Sequence, residues 1–490
     1  MAFMKRSYGG IQPYIPCGIL RIRLPFVHFK ISPPEIVTGL MNACTSYGAL
    51  AVLITTLGLD PEVAWALVVF ETAMYTLNWL LGEPSICGWI TPAMAIVILY
   101  LEGLEPGVVR LQALTAVQIE LAVMFIVLGA TGLSKKLNTL VPPAVKAGIV
   151  LGAGVNAVFA RLKEGGAVDT VTIGCVSGLV VVFFLMFSKR IRKHMDTNRF
   201  LAVLGNYSFL WAILALFILG GVSGEFHYEF SGEIIRVPDF GALFMTVCPF
   251  FIGWAEPAIW LSALPIALIS WVIAYGDFVT VQQLGLQAVR DDEYIEFDPN
   301  RTNVICGIRN LVLGLFAPYP ALAGPLSAPY CVATYQRYKQ SGRQGMDSIY
   351  DGSGTNLIFT VLGLFVFPLY EASLAASSAI LVVVLCIQGF CCAQIAFDLA
   401  RDKLDQGIAG MLAGFILARG GGIGLGAGLA LYFLLCDNDK IKEDYAGNKR
   451  AQEEEDRVTA QRLAELEEHR RAFKAKAADG GAPGKGRDKE

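Results

Sequence analysis

Nine long apolar runs occupy residues 35–58, 62–82, 112–133, 141–161, 168–188, 199–222, 258–285, 351–373 and 377–398. A helix needs about 20 apolar residues to cross a bilayer, and in lipid only helices and closed barrels satisfy every backbone polar group. Shorter or interrupted runs near 91–103, 303–318, 327–338, 405–418 and 421–436 bring the count to fourteen, several of them too short to cross alone. Charge is placed to match. Of the 54 residues in 437–490, 27 are charged, against 54 of the first 436. The body is thus about 12% charged, where soluble proteins carry about 25%. The chain reads as an all-α polytopic membrane protein with a polar tail, which suits one solvated helix followed by a disordered end at 480–490. Residues 1–33 carry Lys5, Arg6, Arg21, Arg23 and Lys30 but no apolar core with a small-residue cleavage site, so they read as a cytoplasmic or interfacial lead.

Other classes fall away. A net charge of −3 gives no reason to expect a nucleic-acid partner. Eleven cysteines are scattered without CxxC or metal-ligand spacing, and His28, His194, His227 and His469 lie outside the convincing spans. Haem ligation, zinc chemistry and histidine proton relays are therefore not expected within the membrane. There is no phosphate loop, serine elbow or dinucleotide fingerprint, and no nucleophile–base set, so neither an ATP-driven pump nor an enzyme is expected. Loop charge orients the spans. With the N-terminus inside, inside loops receive Lys135, Lys136, Lys189, Arg190, Arg192, Lys193, Arg337, Lys339, Arg343, Arg401 and Lys403. The connection 223–257 holds only Arg236 against Glu225, Glu229, Glu233, Asp239 and Glu256. Both termini then lie in the cytoplasm, in a cell inner or plasma membrane. Arg161 and Lys163 run against the rule.

A repeat divides the body. Pro84-Ser85-Ile86-Cys87-Gly88-Trp89-Ile90-Thr91 aligns with Pro320-Ala321-Leu322-Ala323-Gly324-Pro325-Leu326-Ser327 at an offset of 236, which also maps the helix start near 141 onto 377 and that near 168 onto 404. Seven spans per half is an odd number, so the halves, 34–222 and 258–436, are inserted in opposite orientation, joined by an extracellular connection with an amphipathic segment. Each repeated stretch suits extended backbone leading to Thr91 or Ser327, a good N-cap for a short helix. Half-helices 3 and 10 then start near the middle of the membrane, with N–H groups and positive dipole ends facing a central cavity. Cys87, Gly88, Trp89, Ile90, Thr91, Gly324, Pro325, Leu326 and Ser327 are the expected solute-binding residues.

These residues resemble the seven-plus-seven inverted-repeat transporter superfamily, which contains the nucleobase–ascorbate permeases, the sulfate permeases and the bicarbonate exchangers. The stretch from Asn300 through Gly307-Ile308-Arg309-Asn310-Leu311 to Phe316, leading into Tyr319-Pro320, is similar to the sulfate-permease segment before its tenth span. Leu140-Val141-Pro142-Pro143-Ala144-Val145 resembles the start of the fifth span in nucleobase permeases. The resemblance implies a core domain (spans 1–4 and 8–11) moving against a gate domain (spans 5–7 and 12–14), within a homodimer. Two departures stand out. The 54-residue tail is too short for the STAS domain of sulfate permeases, and Leu326-Ser327 stands where those families keep a basic residue or a glutamate.

Ionisable groups inside spans are costly and point to function. Asp277 lies within 258–285 and, by the resemblance, where both families keep an acid. The residues leave three roles open: a Na⁺ ligand with Thr280, a proton carrier, or a partner of Arg309. Glu71 and Glu120 either pair with Lys146 or face the cavity. Tyr275 and Tyr319 flank the expected site, near Trp271 and Tyr330. The expected function is secondary-active transport of a small anionic solute, coupled to Na⁺ or H⁺, with no other cofactor. A nucleobase permease is the alternative, and a channel or membrane sensor on the same fold is the alternative of another class.

Overall fold

Proline decides where many of the helices begin. Pro33, Pro61, Pro92, Pro143, Pro257, Pro299, Pro329 and Pro368 each stand in a first helical turn, where no N–H is needed and φ is already helical. The computed structural model describes residues 4, 6, 9–195, 198–290 and 292–478. Its first half comprises α1 (Pro33–Thr55), α2 (Pro61–Leu80), α3 (Thr91–Glu102), α4 (Val108–Thr131), α5 (Pro143–Leu162), α6 (Thr172–Phe187) and α7 (Ser208–Val222). Its second comprises α8 (Pro257–Ala288), α9 (Pro299–Phe316), α10 (Ala328–Gly345), α11 (Ile349–Gly363), α12 (Phe367–Leu399), α13 (Lys403–Arg419) and α14 (Gly421–Leu435). Asp60, Asp298 and Asp402 cap α2, α9 and α13, and Ser348 with Asp351 forms a capping box on α11.

Among the described residues, six helices, α1, α2, α4, α5, α8 and α12, are long and apolar enough to cross a membrane, while α3, α6 and α7 are apolar but shorter. Two boundaries differ from the apolar pattern. α11 and α12 divide at 364–366, not at 374–376, because Pro368 favours a first turn and 365–367 pairs with the connection before α8. The run 199–222 breaks at Tyr207 into Arg199–Asn206 and α7.

Packing reveals the two-fold relation of the halves. α1 packs on α11 and α8 on α4, which is one pairing with the halves exchanged; α6 on α7 and α13 on α14 is another. α5 with α12 lies on the axis, as does the strand pair Gly88–Trp89 with Ala323–Gly324. That pair is antiparallel and sets Gly88 opposite Gly324, so the repeats are inverted. The offset of 236 holds only there. α5 and α12 start at 143 and 367, 224 apart, and α6 and α13 at 172 and 403, 231 apart. The mapping of 141 onto 377 is therefore corrected: loop lengths differ between halves. Two bundles result, α1–α4 with α8–α11 and α5–α7 with α12–α14. Small residues let the second bundle close. Gly148 and Gly152 of α5 lie against the Cα atoms of Ala409 and Ala413, so an added Cβ would come within 3.1 Å of each.

Both polar ends dock on one face. Gly10–Ile11 runs parallel to Glu293–Tyr294 after α8, and the hairpin Ile15–Cys17/Leu20–Ile22 bonds the turn after α2 through Arg21 N to Leu81 O (3.0 Å) and Arg23 N to Leu80 O (2.9 Å). The tail forms one helix, Asn438–Ala478, which lies across both bundles and is not wholly solvated. Residues 480–490, expected to be disordered, lie outside the described residues, as does residue 479. Lys440 Nζ holds Asp402 (2.7 Å), Asp405 (3.3 Å) and Asp444 (3.0 Å), with Asp405 fully covered. Asn448 Nδ2 donates to Thr139 O and Val141 O, each at 3.0 Å, while Tyr275 OH on α8 donates to Gln452 Oε1 (3.0 Å). The Lys440 ammonium holds the Asp402 carboxyl below the usual carboxylate range, a contribution present at neutral pH and lost only on strong acidification. Replacing Lys440 by Gln strands the buried Asp405 and is expected to weaken tail docking by about 3 kcal/mol. Hydrogen exchange over 438–450 should accelerate accordingly, while that of α4 stays unchanged.

Candidate functional site

Extended backbone at mid-membrane must find partners for every N–H and C=O. The segment 83–90 does so through side chains of neighbouring helices and through its twin. Asn78 Nδ2 donates to Ser85 O (2.9 Å), Ser353 Oγ to Pro84 O (2.6 Å), and Ser85 Oγ to Pro325 O (3.2 Å). Ser327 N donates to Ile86 O (2.8 Å), and Ile90 N to the carbonyls of Ala321 and Leu322 (3.1 Å each). Gly324 permits the approach, since a Cβ there would stand 2.9 Å from Ile90 N and Trp89 O. The adjoining Leu322 adopts φ +49°, a left-handed conformation that a leucine rarely takes.

α9 fastens the crossing from below. Arg309, fully buried, donates from Nη1 to Gly324 O (2.7 Å) and from Nη2 to Gly88 O (3.4 Å), one carbonyl from each half. Its guanidinium lies over the Tyr75 ring at 5.2 Å. Asn310 imitates a strand, donating to Ala323 O (2.8 Å) and accepting from Ala323 N (2.9 Å). Gln118 of α4 accepts from Tyr319 N (2.8 Å) and donates to Asn310 Oδ1 (3.3 Å). Gln118 and Asn310 are candidate-site residues that the sequence pattern did not single out; an amide midway along α4 and the Arg-Asn pair in α9 were the available signals.

Above the crossing stands a polar, aromatic cluster. Trp89 and Tyr319 rings lie 6.0 Å apart, and Glu71 is near enough to Arg309, Tyr75 and Tyr319 for its charge to act on all three. Tyr319 OH and Arg309 Nε are each shielded from water and have no hydrogen-bond partner, while Glu71 Oε1 and Trp89 Nε1, equally shielded, lie within reach of each other. Buried polar atoms are nearly always paired, so this cluster is the candidate site for a polar ligand. Trp89, Thr91 and Ser327 keep part of their surface uncovered, whereas 83–88 and 321–326 are buried.

Gly88, Trp89, Ile90, Thr91, Gly324, Ser327, Tyr319, Arg309 and Glu71 thus come together. Cys87 is buried beneath, its Sγ against Tyr75 O (3.6 Å), and Pro325 and Leu326 face the covered side. Tyr275 does not join them; it stacks on Trp271 at 5.6 Å and bonds the tail. Asp277 is half-buried near Cys306 and Cys392 and makes no hydrogen bond or ion pair among the described residues, so of its three open roles the pairing with Arg309 is absent. Thr280 is exposed and donates to Gly276 O (2.9 Å). Glu120 lies beside Tyr100 on α3, its Oε2 unpartnered, and Lys146 lies near Arg401; no ion pair joins Lys146 to Glu71 or Glu120 among the described residues. No group of three or more potential metal ligands occurs among the described residues.

The Xan_ur_permease profile, described as Permease family, matches residues 34–323, more than half of the chain. The chain belongs to the Permease family. Among solved structures, this permease is similar to the transmembrane domain of a cyanobacterium bicarbonate transporter, BicA, at 14% identity over 81% of this chain and 96% of that one, with a TM-score of 0.48. It is also similar to the murine Slc26a9 anion transporter in the inward-facing state, at 13% identity over 83% and 68% of the two chains, with a TM-score of 0.47. No curated protein sequence matches it. The permease is a multi-pass membrane protein whose matched region contains the first broken segment and reaches Ala323 in the second.

Arg309→Lys tests the crossing directly. Lysine keeps the charge but cannot hold two carbonyls in one fork. The variant is expected to lose about 2 kcal/mol of stability and most transport, whereas a role as a bare positive charge would leave both near wild type.

Proposed function

We propose that this permease is a secondary-active transporter that holds a small solute above the strand crossing and carries it by alternating access of the two bundles. Of the two solute classes open from the sequence, we favour the planar, nucleobase-type solute. The observation that carries this reading is the buried polar set beside the Trp89 and Tyr319 rings: an unpartnered Tyr319 OH, and a Glu71 carboxylate and Trp89 indole N–H within reach of each other. A carboxylate oxygen wants an N–H, the indole and phenol want carbonyl acceptors, and the rings offer faces to stack on. A uracil- or xanthine-type ring has all three. The match to the Permease family agrees with it.

A compact anion is the second reading, and the two half-helix N-termini favour it. Two features weaken those ends. Pro92 and Pro329 remove a donor from each first turn, and Ile90 N and Ser327 N are already bonded to the opposite segment. Glu71 also places a negative charge where an anion would sit. For coupling we propose Asp277, an acid without a partner inside α8, as the group that takes up H⁺ or Na⁺. The cluster Lys135, Lys136, Arg337, Lys339, Arg401 and Lys403 favours a cytoplasmic tail face in a cell inner or plasma membrane. We further propose that the protein works as a homodimer.

Counterflow in proteoliposomes decides among these. Vesicles preloaded with unlabelled uracil or xanthine are expected to accelerate entry of the labelled base, with no acceleration by bicarbonate or sulfate. Acceleration by the anions alone would transfer the assignment to the second reading, and simple equilibration would mean a channel. Glu71→Gln is expected to lower base uptake more than about tenfold. Asp277→Asn should abolish the response to an imposed H⁺ or Na⁺ gradient while exchange persists; an unchanged response removes Asp277 from coupling.

A further inference from the structure

The two cations that break the charge rule, Arg161 and Lys163, sit together at a cavity. It measures about 160 Å³ and opens at the end of the molecule opposite the tail helix, between α3 and the α5, α12 and α13 helices. Its walls are largely apolar, with Ile98 from α3, Leu385 from α12 and Leu417 from α13 among them. Arg161 has its Nε shielded from water and without a hydrogen-bond partner, and no ion pair is formed by it among the described residues. Asn156 donates its amide to Ala95 O (2.9 Å), which fixes α5 against α3 at the cavity floor. The turn after α5 is tight: Gly166 N donates to Lys163 O (2.8 Å), and a Cβ at Gly166 would stand 2.6 Å from Arg161 O. The backbone carrying both cations is thereby held in place. Glu102 is the acid on the wall and acts electrostatically on Arg161, without a bond to it.

Two cations facing one acid leave a net positive charge in a mostly apolar recess, where ionic attraction is stronger than in water. A guanidinium with an unsatisfied, shielded N–H calls for an acceptor. The cavity also lies on the seam between the bundles, α3 belonging to one and α5, α12 and α13 to the other. We propose that this cavity is a second binding site, separate from the strand crossing, for a phosphate-type oxyanion held by Arg161 with Lys163 at the rim. Free inorganic phosphate and the phosphate of a lipid headgroup share that chemistry. An occupant bridging α3 and α5 ties the bundles together on this side and so favours the conformation in which the seam is closed.

The test uses the full chain purified in detergent at constant ionic strength, with thermal unfolding as readout. Inorganic phosphate and short-chain phosphatidylglycerol are titrated separately. At least one is expected to raise the transition temperature saturably, and the one that does so identifies the source. Arg161→Gln should weaken that ligand at least about tenfold, and Arg161→Lys less, since lysine keeps charge but not the fork. The Glu71→Gln variant, altered only at the crossing, should retain the full shift, which separates this site from the solute assignment. No shift with either compound, or an equal shift in Arg161→Gln with an unchanged elution profile, would overturn the proposal.

Discussion

The rest of the structure depends on one contact: two extended segments meeting antiparallel inside a membrane protein, with Gly88 opposite Gly324. Extended backbone at that depth survives only when its polar groups are bonded within the protein. Each segment supplies part of the answer for the other, and the remainder comes from buried side chains of α2, α4, α9 and α11. Asn78, Gln118, Asn310 and Ser353 are placed by helix geometry to bond carbonyls or N–H groups that no regular ladder serves. The helices are thus a frame for a short piece of irregular chain. That frame explains why polar residues sit in largely apolar spans.

Arg309 illustrates how the same constraint redirects a charge. Met in isolation, an arginine in a transmembrane helix invites an acidic partner or an anion. Here its two terminal nitrogens each take a carbonyl, one from each half of the repeat, and its face lies on Tyr75. The positive charge is spent on architecture, and only Nε remains unengaged. With Glu71 nearby, the crossing is close to electrically neutral. A neutral solute with both donors and acceptors fits that balance better than a compact anion, which would have to compete with Glu71 for the same donors.

The parts legible in the sequence are those governed by local rules. Prolines in first turns and the Gly-containing repeat foretold the half-helices, and the inverted halves followed from an odd number of spans. The division between α11 and α12 was less legible, because Phe365, Val366 and Phe367 are as apolar as the helices they separate. The uniform offset failed because only the crossing demands matched spacing; elsewhere the loops are free to differ in length. Asp277 drew attention as an in-span acid, yet periodicity does not say which neighbours a helix face meets. Asp277 lies near Cys306 of α9 and Cys392 of α12, while Glu71, on α2, stands at the crossing. Gln118 and Asn310 carried no signal strong enough to separate them from ordinary polar residues, since their role exists only once α4, α9 and the second segment are assembled.

The distribution of cations gives the last step. A crossing held by Arg309 is rigid, so movement must occur along the seam between the bundles and not within the core. On one face that seam is spanned by the tail helix, anchored through Lys440 and Asn448 to one bundle and through Gln452 to α8 of the other. On the opposite face Asn156, beside the small cavity, bonds α5 to α3, and Tyr370 OH of α12 donates to Pro61 O of α2 (3.2 Å). The two faces therefore resist opening by different means, a helix at one end and side chains at the other. A ligand bound in the cavity at Arg161, as proposed, would add its bonds to this second set and so weight the conformation in which the seam is closed.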